Sequence, residues 1–441
     1  MDIQDLIALG DKLLYIDEPK FRQIVELLEQ MGDHPDIRRT IAIIRPRMVE
    51  LRIHRRPTLK RLFCDPFEDL FETFGKTEPM PLSVIERALM NSLWPLVETT
   101  IGKERLKSYR GALHDGPQRR GLAEAFWAEC AAIVADIANT AAGDAGRRDG
   151  AMDLRLTPDR MRAMGDIATI LTIAPEVRDL KAALSPKPVS RLHQDHLEGI
   201  QEAGRRVARS RPEALKIFVL LAASRMADPS ALLGGLWEMD LGLKPVDRAT
   251  LFMDLSGTVM AQIEDRSRSL KASPERVPDR MAVADLAVGL MASLDATRDA
   301  MEQSRNKSFD QRLKQVRGSV HEMVRSQVLQ DADTGIVAAL GGLDGGADER
   351  TQLAQAESQA RALRKCSTVA DQLGLRGELR EMTQKTTATL TAKARQALGG
   401  GNAGVGGGAR SGYTAIRMIE LLAGSAEANK VMDEILNGGR R

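Results

Sequence analysis

TPDRMRAMGDIATILTIAPEVRDLKAAL, residues 157–184, decides the class of fold. Thr157 carries a side-chain oxygen that can cap free backbone N–H groups, and Pro158 suits a first helical turn, where its missing N–H costs nothing. The stretch reads as helices near 157–173 and 175–184 with a minimal break between them. The same pairing of a capping side chain with a proline recurs at Asp17 with Pro19, Asp33 with Pro35, Asp228 with Pro229 and Ser273 with Pro274. Each predicts a helix start. Further helices are expected near 190–209, 212–226, 229–240, 246–271 and 279–302, joined by short Pro- or Gly-bearing turns that favour antiparallel neighbours. No residue signature returns at a fixed period, so a solenoid is not indicated.

Toward the N-terminus the pattern predicts helices near 2–15, 18–31 and 34–53, the second with Phe21, Ile24, Val25, Leu27 and Leu28 at helical spacing. Short amphipathic helices are not stable alone, so these should pack together. TAAGDAGRRDGAM, 140–152, has no apolar periodicity and predicts a boundary between an N-terminal helical domain, 1–139, and a central multi-helix domain, 153–302.

Toward the C-terminus Phe309, Leu313, Val316, Val320 and Met323 follow a 4-3-4-3 rhythm. It returns as Leu353, Ala356, Ala360, Leu363, Ser367 and Ala370, and again as Leu379, Met382, Thr386 and Leu390. Such spacing forms the seam of a two-sided helical contact. It predicts a long coiled-coil-like helical hairpin over 303–398, with a seam of small residues weak enough to invite a second copy of the chain. GGGNAGVGGG, 399–408, with seven glycines in ten residues, reads as the core of a flexible linker, 399–412. It tethers a single final helix, 413–441, carrying Ile416, Ile419 and Leu422 on one face. The expected fold is therefore all-α: irregular multi-helix bundles with a C-terminal hairpin.

A chain of 441 residues with 43% apolar and 28% charged residues folds rather than stays disordered, and a net charge of +2 exerts no global pull on nucleic acid or anionic membrane. Cys64, Cys130 and Cys366 are widely spaced and form no CxxC, which predicts reduced thiols. The longest apolar run, 217–223, is far short of the roughly 20 residues a membrane span needs. Acids stand at the start, where a signal peptide carries Lys or Arg, so a cytoplasmic location is expected.

Three motifs invite chemistry. TLFMDLSGTVM, 250–260, resembles the first motif of the haloacid-dehalogenase-like phosphatases, DxDGT at the end of a buried strand. The resemblance implies Asp254 as nucleophile and Thr258 as a phosphate contact, but Ser256 stands where the second acid belongs. The same residues fit a helix through Leu251, Leu255, Val259 and Ile263. Gly75, Lys76 and Thr77 match the end of a phosphate-binding loop, yet Leu70 replaces its first glycine. His193 and His196 share a helical face, which is two ligands and not a metal site. No catalytic constellation, metal or cofactor is expected.

The strongest local signal is electrostatic. From Arg38 to Arg61 nine cations, Arg45, Arg47, Arg52, Arg55, Arg56, Lys60 and Arg61 among them, face one acid, Glu50. If they share a face they can bind phosphates; Asp65, Glu68, Asp69 and Glu72 follow and can instead answer them within the molecule. Phe63, Phe67, Phe71 and Phe74, spaced 4-4-3, predict four rings along one helical face, as core or as partner-docking stripe. Ile416, Ile419 and Leu422 are further docking candidates. These features point to a non-enzymatic helical scaffold or adaptor with a protein partner, and alternatively to a nucleic-acid-associated protein using 38–61, with Arg205, Arg206, Arg209 and Arg211 as a second contact.

Overall fold

A computed structural model describes residues 12–13, 16–30, 40–41, 43–45, 47–48, 51, 58–71, 85–113, 119–143, 157–269, 279–305, 307–340, 347–399 and 407–438. Among them are nineteen α-helices and no strand, beyond two isolated parallel bridges at Phe71–Ile85 and Val189–Met226. The helices are α1 (Glu18–Gln30), α2 (Leu59–Cys64), α3 (Leu89–Ile101), α4 (Lys103–Tyr109), α5 (Arg119–Gly143), α6 (Pro158–Thr172), α7 (Ala174–Ala183), α8 (Gln194–Ser210), α9 (Leu215–Ser224) and α10 (Ala231–Glu238). They continue with α11 (Pro245–Ser269), α12 (Arg280–Gln303), α13 (Asp310–Val324), α14 (Ala332–Ala338), α15 (Ala347–Ser367), α16 (Ala370–Leu373), α17 (Arg376–Gly399), α18 (Gly407–Ala423) and α19 (Ser425–Gly438). The all-α expectation holds.

The capping chemistry is visible where the sequence placed it. Thr157 is extended and its hydroxyl accepts from Arg160 N at 3.3 Å, with Pro158 at the first helical position of α6. Asp228 Oδ1 accepts from Ser230 N at 3.0 Å ahead of α10. The starts at Asp33 and Ser273 lie outside the described residues.

The chain forms two compact units, Met1–Glu68 with Ala88–Ala174, and Asp69–Arg87 with Pro175–Arg441. In the first, Leu13, Phe21, Val25, Ile41, Ile44 and Met48 make one core, and a second grows around α5, which packs along α6 and against α2 and α3. The boundary expected at 140–152 is thereby corrected: α5 and α6 flank it and belong to one unit, so the division falls after Ala174. A stretch without periodicity can join two helices that share a core as readily as it separates domains.

In the second unit α9 is buried on nearly every side, with α8 and α11 packed against it, while α11, α12 and α13 pack on one another. The apolar run 217–223 is thus a core helix. No helix among the described residues is long and apolar enough to cross a membrane.

The hairpin expected over 303–398 is not the pairing that forms. α15 lies mainly on α12 and α18, whereas α17 pairs along α18. Gly412 allows that pairing, since a Cβ there would stand 2.4 Å from Leu398 Cγ. The expected single C-terminal helix is also two, broken at Gly424, whose φ of +103 suits glycine alone.

Candidate functional site

The Phe segment starts as predicted and then departs. Thr58 caps α2 by accepting from Arg61 N at 3.2 Å, but α2 ends at Cys64 and Asp65–Leu70 continues as a 3₁₀ helix. Pro66 explains part of this. It has no N–H for the carbonyl of Leu62, four residues back, and the indole Nε1 of Trp127 donates to that carbonyl instead, at 2.7 Å. Phe63 and Phe67 are buried in the first unit, with rings 5.3 Å apart edge to face and Trp94 5.5 Å from Phe63. Phe71 is buried in the second unit, bridged to Ile85 and covered by the Arg87 guanidinium at 4.9 Å. The single helical stripe is therefore corrected: these three rings are core, divided between two units. Phe74 lies outside the described residues.

The basic segment is likewise not one free face. Arg47 turns inward, hydrogen-bonding the carbonyl oxygens of Leu13, at 2.8 Å, and Ile16, and stacking over the Phe21 ring at 4.6 Å. Arg45 and Lys60 are exposed and Arg61 is half-buried, while Arg52, Arg55 and Arg56 lie outside the described residues. Arg205 and Arg206, on α8, are answered by Asp240 at 2.7 Å and by Asp179 and Glu202 at 2.6 and 2.9 Å.

Asp69 does not answer the basic segment. Its carboxylate, 1% exposed, receives Arg225 Nη1 at 2.5 Å and Lys187 Nζ at 2.6 Å. Arg225, itself 8% exposed, donates from Nε and Nη2 to the carbonyls of Leu184 and Lys181. Its own backbone carbonyl accepts from Val189 N, which closes the Val189–Met226 bridge. Burial pushes the Asp69 carboxyl up, but the charges of Lys181 and Arg225 and the hydrogen bond from Lys187 outweigh it and hold the group below its ordinary value. Sequence reasoning missed Arg225 and Lys187, because partners 156 and 118 residues away leave no local signal.

The dehalogenase-like segment is corrected outright. It lies in the middle of α11, with no strand to end in. Asp254 pairs with Lys216 at 2.9 Å, while the buried Ser256 Oγ donates to Phe252 O at 2.7 Å and Thr258 Oγ1 to Asp254 O at 2.8 Å, the ordinary back-bonding of hydroxyls inside a helix. Gly75, Lys76 and Thr77 lie outside the described residues. His196 Nδ1 accepts the backbone N–H of His193 at 3.1 Å, capping α8. Among the described residues no group of three or more His, Cys, Asp or Glu side chains converges as metal ligands. Cys130 and Cys366 are buried, and burial raises both thiols, Cys366 to about 12.

The C-terminal helices carry the remaining candidate surface. Ile419 and Leu422 are buried and Ile416 is half-buried in a layer where α18 meets α15 and α17, so the docking face expected there is filled by the protein's own helices. Arg364 Nη1 donates to Glu420 O at 3.2 Å near the end of α18. Leu398 lies against Gly412, and Arg395, on α17, pairs with Glu434, on α19. These two contacts gather the end of α17, the start of α18 and the end of α19. At that same end Tyr413 and Leu436 are 59% and 64% exposed. No family model, curated protein or solved structure matches the chain.

Proposed function

We propose that the protein is a non-enzymatic helical scaffold that docks a protein partner through the exposed end of α18 and α19. The observation that carries this reading is the pair Tyr413 and Leu436, large apolar side chains on adjoining helices whose other faces are spent on the core. An aromatic and an aliphatic side chain that rigid helices hold out to water form a preorganised anchor. The expected location is the cytoplasm.

The test is affinity capture under high salt with nuclease present, comparing wild type with the double variant Tyr413→Asp, Leu436→Asp. A partner retained by the wild type and lost by a variant of unchanged melting temperature supports the reading. A partner held equally by both contradicts it. The nucleic-acid alternative draws less support, since Arg47, Arg205 and Arg206 are engaged within the molecule.

A further inference from the structure

The two histidines at the start of α8 hold no metal, but they cap the helix in an unusual way. His193, the residue before the helix, is extended at φ −113 and ψ 167, and its carbonyl accepts the first helical bonds, from His196 N at 3.1 Å and Leu197 N at 3.2 Å. Its own N–H donates to Nδ1 of His196, three residues on, at 3.1 Å. That return bond is one half of a capping box, in which the third helical residue is ordinarily Glu or Gln. A carboxylate or amide oxygen accepts at any pH near neutrality. An imidazole nitrogen accepts only while it carries no proton, and imidazole is the side chain whose charge ordinarily changes between about pH 5 and 8.

We infer that α8 carries a pH-sensitive cap: protonating His196 at Nδ1 releases the His193 N–H and frees the first turn of the helix. The acceptor is lost, and a positive charge arrives at a helix N-terminus, where the aligned peptide dipoles disfavour it. Once both rings are charged, like charges also stand 5.5 Å apart, centroid to centroid. The charged groups around this turn are Asp195 and Glu198 on α8, Arg191 just before it, Lys181 on α7, whose Ala183 lies against Gly199, and Glu238 on α10, whose Gly235 lies against Leu197. Glu213 and Lys216, on the 3₁₀ turn and α9 that also pack on α8, follow its far end. Among the described residues none of these pairs with either imidazole. Asp195 and Glu198 ease the added charge, but neither receives the His193 N–H. The opening is local. Val189 stays paired with Arg225 and Ala227, so the freed stretch runs from Ser190 to Leu197.

The test is hydrogen exchange of the full-length protein at about pH 7.5 and 5.5, either side of the imidazole range, with rates corrected for the intrinsic effect of pH on amide exchange. Protection across 190–198 should fall about fivefold at the lower pH, the loss of one cap, while protection of α9 stays constant. His196→Gln supplies an acceptor that does not titrate, so it should melt as wild type and show the same protection at both pH values. His193→Asn removes the second ring and keeps the backbone N–H, so there the fall should persist. A wild type without the fall overturns the inference, as does a His196→Gln variant that still shows it. A fall abolished by His193→Asn assigns the effect to repulsion between the rings and overturns the cap.

Discussion

Asp69→Asn keeps the shape of a buried side chain and removes the charge that Arg225 and Lys187 were arranged around. Arg225 then stays buried with its charge uncompensated, and breaking one side of a buried pair costs about 3–5 kcal/mol. Chemical denaturation at neutral pH should show the second unit destabilised by that order. The pH dependence has a definite sign. Asp69 sits below its ordinary value of 3.8 in the folded protein, so its contribution is fully present above that value and lost as pH falls through the lower folded value. Subtracting variant from wild-type stability between pH 7 and pH 3 should give a difference that shrinks only below about pH 4. A difference that is constant across that range would show that the carboxylate is not held as described. Trp127→Phe probes the other buried polar contact. It leaves the Leu62 carbonyl without the donor that Pro66 cannot supply, and should cost about 1–3 kcal/mol.

The helices themselves show what a sequence carries and what it does not. Starts such as Thr157 with Pro158, and the faces of α6 to α12, were legible because caps and 3.6-residue periodicity act within a few residues. Pairings between helices were not. The rhythm through Ala356, Ala360 and Leu363 marked a buried face correctly, yet nothing in it says that α12 and α18, rather than α17 or a second copy, would cover that face. Among the described residues these three seam positions are buried inside their own unit, so self-association through 303–398 would have to use other positions of the seam. Ala360→Leu should accordingly overpack the seam and destabilise the folded chain by about 1–3 kcal/mol. Sedimentation of wild type and variant should give the same mass per particle; a wild-type dimer that the variant abolishes would restore the self-association reading. The Phe segment failed as a helix for a reason that was legible, Pro66, whereas its division between two units was not.

At the scale of the whole molecule, the candidate site was the least legible part. Ile416, Ile419 and Leu422 looked like a docking face because an isolated helix shows only that it has an apolar side; the surrounding helices decide which side is left to water. That side carries Tyr413 and Leu436. Two readings of the molecule then differ in where a partner must touch it. Hydrogen exchange of the full-length protein, alone and with its captured partner, separates them directly. The scaffold account predicts new protection in peptides covering 410–416 and 433–438, unchanged between low and high salt. Protection confined to 38–61 and lost as salt is raised would contradict it.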